Sequence, residues 1–292
     1  MSEARKIIPV ILAGGQGSRL YPHSTPELPK QFMPLKDGGT TFLNTLKRVE
    51  NSDIFGAPII ICAEHNLDVV TYLCCNKDVR IISEPVGRNT AAACHIGARA
   101  AQDLTGNSNV PVIILPADHY IPHVDAFEKA IARGADAVDQ GYIVTFGIRP
   151  EFGHTEYGYI EQGEEIGAGV FKVKEFIEKP KAKAAQTYFS EGRYFWNSGM
   201  FMVRADALLA EVEAHQSTLY LYAEEAWANS VVEGQIRYLK PEIFSQIPKI
   251  SFDYAVMEHT AKACVLEAGF AWRDLGGWDS LLEFYVSNTL PR

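Results

Sequence analysis

The stretch Ile7-Ile8-Pro9-Val10-Ile11-Leu12-Ala13-Gly14-Gly15-Gln16-Gly17-Ser18-Arg19-Leu20 decides how the rest of the chain is read. Its first half, Ile7–Leu12, is a continuous apolar run, the pattern of a strand covered on both faces in a parallel sheet. Arg5 and Lys6 before the run give it the look of a signal peptide. Seven apolar residues with a proline among them, leading straight into glycines, read instead as a first buried strand. The second half is a glycine loop, which lets backbone N–H groups come close to an anion. It does not match the dinucleotide fingerprint G-x-G-x-x-G, because the third position counted from Gly15 is Leu20. It does not match the Walker pattern either, since no glycine in the chain precedes a lysine. Instead Arg19 closes the loop, and Lys30 follows within Pro29-Lys30-Gln31-Phe32. A guanidinium fork and an ammonium soon after a glycine loop suit phosphate oxygens.

Outward from this loop the same alternation recurs. Pro58–Cys62, Val79–Ser83, Val110–Leu115 and Tyr142–Gly147 are further apolar runs. Between the runs, Thr41–Glu50, Asn66–Cys75, Thr90–Asp103 and Asp125–Gln140 carry helical patterns. The alternation predicts an α/β fold with a doubly wound, mostly parallel central sheet flanked by helices and joined by right-handed crossovers. Functional residues of such sheets lie just beyond the carboxyl ends of the strands. The second half is mixed. Tyr157–Gln162 and Val170–Ile177 read as antiparallel strands, Lys181–Glu191 as a helix, and Phe201–Val203 as a short strand. Helices are expected from Ala205 to about Glu258. With no linker, repeat or low-complexity tract, the expectation is one unit over residues 1–292, with a nucleotide half to about 150 and a substrate half to about 290.

Composition narrows the function classes. Of 292 residues, 36 are acidic and 27 basic, a net charge of -9, and 47% are hydrophobic. That is globular composition, and the acidic balance argues against a nucleic-acid partner. No apolar stretch approaches the roughly 18–20 residues of a membrane helix. Five cysteines, an odd number without zinc spacing, read as reduced thiols of a cytoplasmic protein.

Further motifs follow in order. They are Glu84-Pro85-Val86-Gly87-Arg88-Asn89-Thr90-Ala91, Pro116-Ala117-Asp118-His119, Phe176-Ile177-Glu178-Lys179-Pro180, Asn197-Ser198-Gly199-Met200-Phe201, Phe252-Asp253-Tyr254-Ala255-Val256-Met257-Glu258 and Asp274-Leu275-Gly276-Gly277-Trp278-Asp279. With the glycine loop and the Pro29–Phe32 segment, the set resembles the nucleotidyltransferases that make nucleotide sugars, and within them the mannose-1-phosphate guanylyltransferases. The resemblance runs from about Ile7 to Phe284. It implies a Rossmann-like nucleotidyltransferase fold with a smaller antiparallel sugar-binding part. It implies GTP and mannose 1-phosphate as substrates, GDP-mannose and diphosphate as products, Mg2+ as cofactor, and a homodimer.

The residue types suit that chemistry. Both reactants are anions and the leaving group gains charge, so positioning and well-placed cations should do most of the catalysis. Arg19 would hold the leaving phosphates and Lys30 would reach the α-phosphate. The nucleotide contacts would come from Ala13, Gly14, Gly15, Gly17 and Ser18, with Glu84, Pro85, Gly87, Asn89 and Thr90 around the base. Guanine offers N1–H and N2–H donors side by side, which a Glu84 carboxylate can accept. A plain helix entry capped by Asn89 or Thr90 explains the same residues. Magnesium favours one or two carboxylates plus phosphate oxygens. Asp118 supplies one, and the resemblance puts the second at Asp274, with Asp279 in reserve and a helix cap as the other reading of Asp274. His119 has no second histidine at ligand spacing and reads as a hydrogen-bonding or packing residue.

Lys179 would bind the sugar phosphate, while Gly158, Glu178, Asn197 and Asp253 would meet the sugar. Glu178 and Lys179 are neighbours, so on a regular strand they would face opposite sides. They can serve one ligand only if the strand is bulged or ends there. A plain turn at Asn197–Gly199 and a first-turn acid at Asp253 are the alternatives. One departure stands out: Thr25 occupies a position where the family often has arginine. The chain also ends soon after the last motif, without the metal pattern of a phosphomannose isomerase domain, so no such domain is expected. A related hexose-1-phosphate nucleotidyltransferase of other specificity, or a non-catalytic GDP-mannose sensor, are the competing functions.

Overall fold

The computed structural model describes residues 6–286 apart from Gln16, Pro26, Lys36 and Asp37, with the side chains of Ser18, Asp279 and Glu283 outside the description. The first half unfolds as β1 (Ile8–Ala13), α1 (Thr41–Arg48), β2 (Ile59–Ala63), α2 (Leu67–Leu73), β3 (Arg80–Glu84), α3 (Asn89–Thr105), β4 (Pro111–Pro116), the two-residue β5 (His119–Tyr120), α4 (Val124–Asp139) and β6 (Ile143–Ile148). The second half continues with β7 (Tyr159–Gly167), β8 (Val170–Ile177), α5 (Ala182–Glu191), β9 (Tyr194–Arg204), α6 (Ala205–His215), α7 (Ser217–Ala228), β10 (Val231–Glu233), β11 (Ile236–Tyr238), α8 (Pro241–Phe244), β12 (Ala263–Glu267), β13 (Arg273–Asp274) and α9 (Trp278–Val286). The five expected parallel strands are all present, each displaced one residue toward its carboxyl end. Hydrophobicity marks what is buried, and the hydrogen-bond ladder sets where a strand stops.

The main sheet runs β10-β11-β3-β2-β1-β4-β9-β6-β12-β8-β7. Pairings β11–β3, β3–β2, β2–β1, β1–β4 and β6–β12 are parallel. Strand β9 is antiparallel to both β4 and β6, so those two share a direction. Tracing the pairings, only β8, β9 and β10 oppose the rest among the described residues. The central β1, β2 and β4 are buried along nearly their whole length. That burial is why they read as unbroken apolar runs rather than alternating ones.

Three expectations for the second half need correction. Strand β9 is eleven residues long, not the short piece expected at Phe201–Val203. The Asn197-Ser198-Gly199 segment, which has the composition of a turn, lies inside it. Gly199 takes φ +67°, and the pairing of β9 with β6 slips between Thr145 and Gly147. A positive-φ glycine beside a register slip is a bulge, which turns side chains without ending the strand. The helical run expected from Ala205 to about Glu258 is interrupted by the β10–β11 hairpin. Strand β12 was not expected at all, although Ala263–Leu266 is fully covered.

Strand β9 also pairs with β7, so β9, β6, β12, β8 and β7 close on themselves as a small barrel. Ile160, Phe195 and Val265 fill it, with Phe171, Val173 and Phe176 packed against them. The opposite face of the parallel part is covered by α3, which packs on β1 and β2. Gly97 of α3 is the point of closest approach: a Cβ there would collide with the side chain of Val10, which is fully buried on β1. Gly97→Ala should therefore destabilise the protein by about 1–3 kcal/mol through overpacking. Helix propensity alone predicts the opposite sign, a gain of about 1 kcal/mol. The urea midpoint distinguishes the two, and an increase would refute the packing argument.

Candidate functional site

The carboxyl ends of β1, β3 and β4 open into one cavity of about 430 Å3. Gly14, Gly15 and Arg19 line it from the loop after β1; Glu84, Gly87, Asn89 and Thr90 from the β3–α3 turn; Pro116, Ala117, Asp118 and His119 from the end of β4. Asp253 and Asp274 arrive from the far half of the chain. Another cavity, of about 310 Å3, lies beside β3 and β11, with Arg80, Asp103 and Arg237 in its lining.

The glycine loop is held from behind by a residue the sequence reading passed over. Gln31 is buried, and its Nε2 donates to the carbonyls of Ala13 and Gly15, both at 3.0 Å. Gly17 stands back from the cavity: its carbonyl accepts from Ser24 Oγ at 2.5 Å, and it packs against Lys30. Ala13 is likewise buried at the end of β1. Thr25, where a family arginine was missing, accepts from the Leu28 N–H at 3.2 Å and shapes a tight turn.

Glu84 is 6% exposed, and its Oε1 has no hydrogen-bond partner among the described residues. Burial pushes its carboxyl up to about 8. Gly14 leaves room for it, since a Cβ there would lie 3.1 Å from Glu84 Oε2. A buried carboxyl group at a cavity wall is chemically suited to accept hydrogen bonds from a bound molecule. Pro85 and Gly87 carry the chain from β3 to α3. Asn89 sits at φ +65°, a strained value for a non-glycine residue, and its Oδ1 accepts from the Thr90 N–H at 2.8 Å. Thr90 Oγ1 accepts from the Phe252 N–H at 2.9 Å, tying the start of α3 to the segment that presents Asp253. The expected cap is not made, since no side chain caps the start of α3, and Asn89 and Thr90 instead line the cavity.

At the centre, Lys30 Nζ lies 2.5 Å from Asp118 and 3.4 Å from Asp274. The short ladder between β5 and β13 places Asp274 opposite His119 and so brings the second carboxylate to the first. Burial would raise the Asp118 carboxyl, but Lys30 and His119 hold it well below the usual range. Burial would lower the Lys30 ammonium, but Asp118 and Asp274 raise it above its ordinary value. The carboxylates and a ring nitrogen of His119 lie within 4.8 Å of one another. Two convergent carboxylates with a cation already between them fit a hard divalent ion such as Mg2+. The reserve ligand Asp279 lies outside the described side chains, as does Ser18. The side chain of Arg19 is exposed at the rim of the same cavity, and its charge reaches Lys30.

His119 is 7% exposed, and burial holds its imidazole below its ordinary value against the pull of Asp118 and Asp274. Trp272 Nε1 donates to its Nδ1 at 3.2 Å. Behind it, Arg48 is 1% exposed, with one donor near the His119 carbonyl at 3.5 Å and two guanidinium nitrogens left without a hydrogen-bond partner among the described residues. Burial takes that guanidinium down to about 9, and the Phe127 ring lies 5.5 Å from it.

The sugar-side residues form a second cluster that meets the first at Asp253. Strand β8 ends at Ile177, and Lys179 takes φ +45°. The break lets neighbouring Glu178 and Lys179 face one another, Nζ to Oε1 at 3.6 Å, as the sequence required if both serve one ligand. Gly158 fits under them, because a Cβ there would stand 2.6 Å from Glu178 Oε2. Its carbonyl accepts from the Asn197 N–H at 2.8 Å. Asn197 Nδ2 donates to Asp253 Oδ1 at 2.7 Å. Asp253 opens a single π-helical turn, Asp253–Met257, a feature that often marks functional positions. Burial raises the carboxyls of both Glu178 and Asp253. Tyr254, 47% exposed beside these acids, belongs to the same face and was not anticipated.

Lys30 offsets part of the charge on Asp118 and Asp274, so removing it leaves two carboxylates with no cation between them. Lys30→Met should lower the melting temperature, and added Mg2+ should restore the variant more than it stabilises the wild type. Equal Mg2+ effects in both proteins would refute the shared cation position.

The nucleotidyl transferase family model matches residues 8–289. A mannose-1-phosphate guanylyltransferase of Sinorhizobium fredii is 42% identical over 94% of this chain and 54% of its own length. A protein of the same name from Salmonella typhimurium is 39% identical over 96% of this chain and 59% of its own. The chain therefore spans little more than half the length of these relatives. A solved structure from Thermus thermophilus, described as a mannose-1-phosphate geranyltransferase, superposes with a TM-score of 0.83 at 30% identity, covering 98% of this chain and 80% of that one.

Proposed function

The chain belongs to the nucleotidyl transferase family, and on that premise we propose that it transfers the guanylyl group of GTP to mannose 1-phosphate, releasing GDP-mannose and diphosphate. The observation that carries this reading is the set of groups gathered at one cleft. Glu84, Asp118, Asp274 and Asp253 line it, Lys30 pairs with Asp118 and Asp274, and Asn197 donates to Asp253. A base, a triphosphate and a sugar phosphate need those chemistries together.

In this reading an ionised Glu84 accepts from guanine N1–H and N2–H, and backbone at Gly14 and Gly15 lies along the ribose and phosphates. Mg2+ held by Asp118 and Asp274 would offset charge on the reacting phosphates. Lys30 exchanges its carboxylate partners for the α-phosphate when the nucleotide enters, and Arg19 holds the β- and γ-phosphates. Lys179 holds the mannose phosphate, while Glu178, Asn197 and Asp253 bind hydroxyls. A phosphate oxygen of mannose 1-phosphate then attacks the α-phosphorus of GTP. The bond from that phosphorus to the bridging oxygen of the β-phosphate breaks, and diphosphate leaves with the electron pair. No protein nucleophile is required.

Diphosphate release measured across the four nucleoside triphosphates, with mannose and glucose 1-phosphates, tests the assignment. Turnover should be fastest with GTP and mannose 1-phosphate; release with no pair would favour a GDP-mannose sensor. Lys179→Ala should raise KM for mannose 1-phosphate and leave GTP binding largely unchanged, whereas equal loss of both would remove Lys179 from the sugar phosphate. Glu84 supplies a pH test. With its carboxyl near 8, the free protein must lose a proton before accepting two guanine donors. GTP affinity should therefore tighten as pH rises toward 8, by at most about tenfold per unit. Glu84→Gln should abolish that slope, and an unchanged slope would take Glu84 out of base recognition.

A further inference from the structure

An indole N–H can only donate a hydrogen bond. Trp272 Nε1 lies 3.2 Å from His119 Nδ1, with both side chains buried and the rings edge to face at 5.2 Å and 78°. The Nδ1 that meets this donor must present its lone pair, so the ring proton sits on Nε2. His119 Nε2 lies 3.8 Å from Asp118 Oδ1. The edge of the imidazole nearest the carboxylates therefore carries an N–H and has no lone pair to give. Turning the ring over would forfeit the indole bond in a closed space. Tyr157 packs edge-on against Trp272 at 5.4 Å and against Trp196 at 5.1 Å, which fixes the indole in turn. The main chain is held as well, by Arg48 at the His119 carbonyl and by the β5–β13 ladder.

We propose that Trp272 is a positioning residue that fixes His119 as the Nε2–H tautomer, keeping the cation site at Asp118 and Asp274 all-oxygen and selective for a hard divalent ion. Without that lock, the nearby ring nitrogen could supply an imidazole ligand, which favours zinc and similar ions over magnesium. The proposal deepens the Mg2+ part of the reading above and rests on it for the identity of the ion. Its first consequence, the tautomer, depends on the protein alone.

Side-chain 15N–1H correlation spectra of the histidines test the tautomer, with His119→Gln assigning the signals. In the wild type, His119 Nδ1 should resonate as an unprotonated nitrogen and Nε2 as an N–H, and Mg2+ should leave both so. Trp272→Phe keeps a ring against Tyr157 but removes the donor. In it the Nδ1–H form should appear, and the ratio of Zn2+ to Mg2+ affinity, measured by calorimetry with the metals alone, should rise roughly 10- to 100-fold. A protonated Nδ1 in the wild type would overturn the proposal, as would an unchanged ratio in a folded Trp272→Phe protein. Should that variant fail to fold, the wild-type spectrum alone decides. Neither measurement contains nucleotide or sugar. Failure of guanylyl transfer, seen as absent diphosphate release, is therefore a separate result.

Discussion

Two carboxylates and one ammonium at the mouth of the sheet organise this molecule. Asp118 and Asp274 come from opposite halves of the chain, and Lys30 from a third segment. Like charges brought this close need a cation between them, and the protein supplies its own. Much of the surrounding structure holds those three groups together. The glycine loop is fastened by Gln31, the neighbour of Lys30, and the β5–β13 ladder delivers Asp274. The same positive charge that stabilises the free protein is the one an incoming phosphate would claim. In the proposed reaction, ligand binding would thus be an exchange of partners for Lys30 rather than the filling of an unpaired charge.

The carboxyls of Glu84, Glu178 and Asp253 are set by burial more than by formal charge. Glu84, Glu178 and Asp253 are all pushed toward their neutral forms by loss of water. Such carboxyls interact strongly with hydrogen-bond donors that replace the water, which is the requirement for gripping a base edge or sugar hydroxyls. The net charge of -9 is therefore a poor guide to the site, where burial favours the neutral forms of Glu84, Glu178 and Asp253 and Lys30 sits against two carboxylates.

Strand β9 joins the parallel part of the sheet to the small barrel. It separates β4 from β6, bulges at Gly199, and continues into the small barrel that carries Gly158, Glu178 and Asn197. The bulge explains why Asn-Ser-Gly looks like a turn in the sequence. The residues are chosen for a backbone irregularity, and that irregularity lies within a strand. Asn197 gains from it an orientation in which its amide reaches Asp253 while its Oδ1 accepts from the Gly199 N–H at 3.0 Å.

The sequence by itself determined the parallel strands and the loop residues after them. Both are local: continuous apolar runs follow from burial on two faces, and glycine, arginine and lysine after a strand follow from phosphate chemistry. The order of motifs also marked the family and most of the cleft-lining residues. Only the tertiary structure decided which charges meet. The partnership of Lys30 with Asp274, the hold of Gln31 on the glycine loop, and the bond from Trp272 to His119 join residues far apart in the chain. It also decided that Glu178 and Lys179 face one another, since the positive φ at Lys179 is a property of the packed chain and not of two adjacent residue types. Side-chain chemistry can be read along a chain, but which groups share a desolvated volume is fixed only when the sheet closes around them.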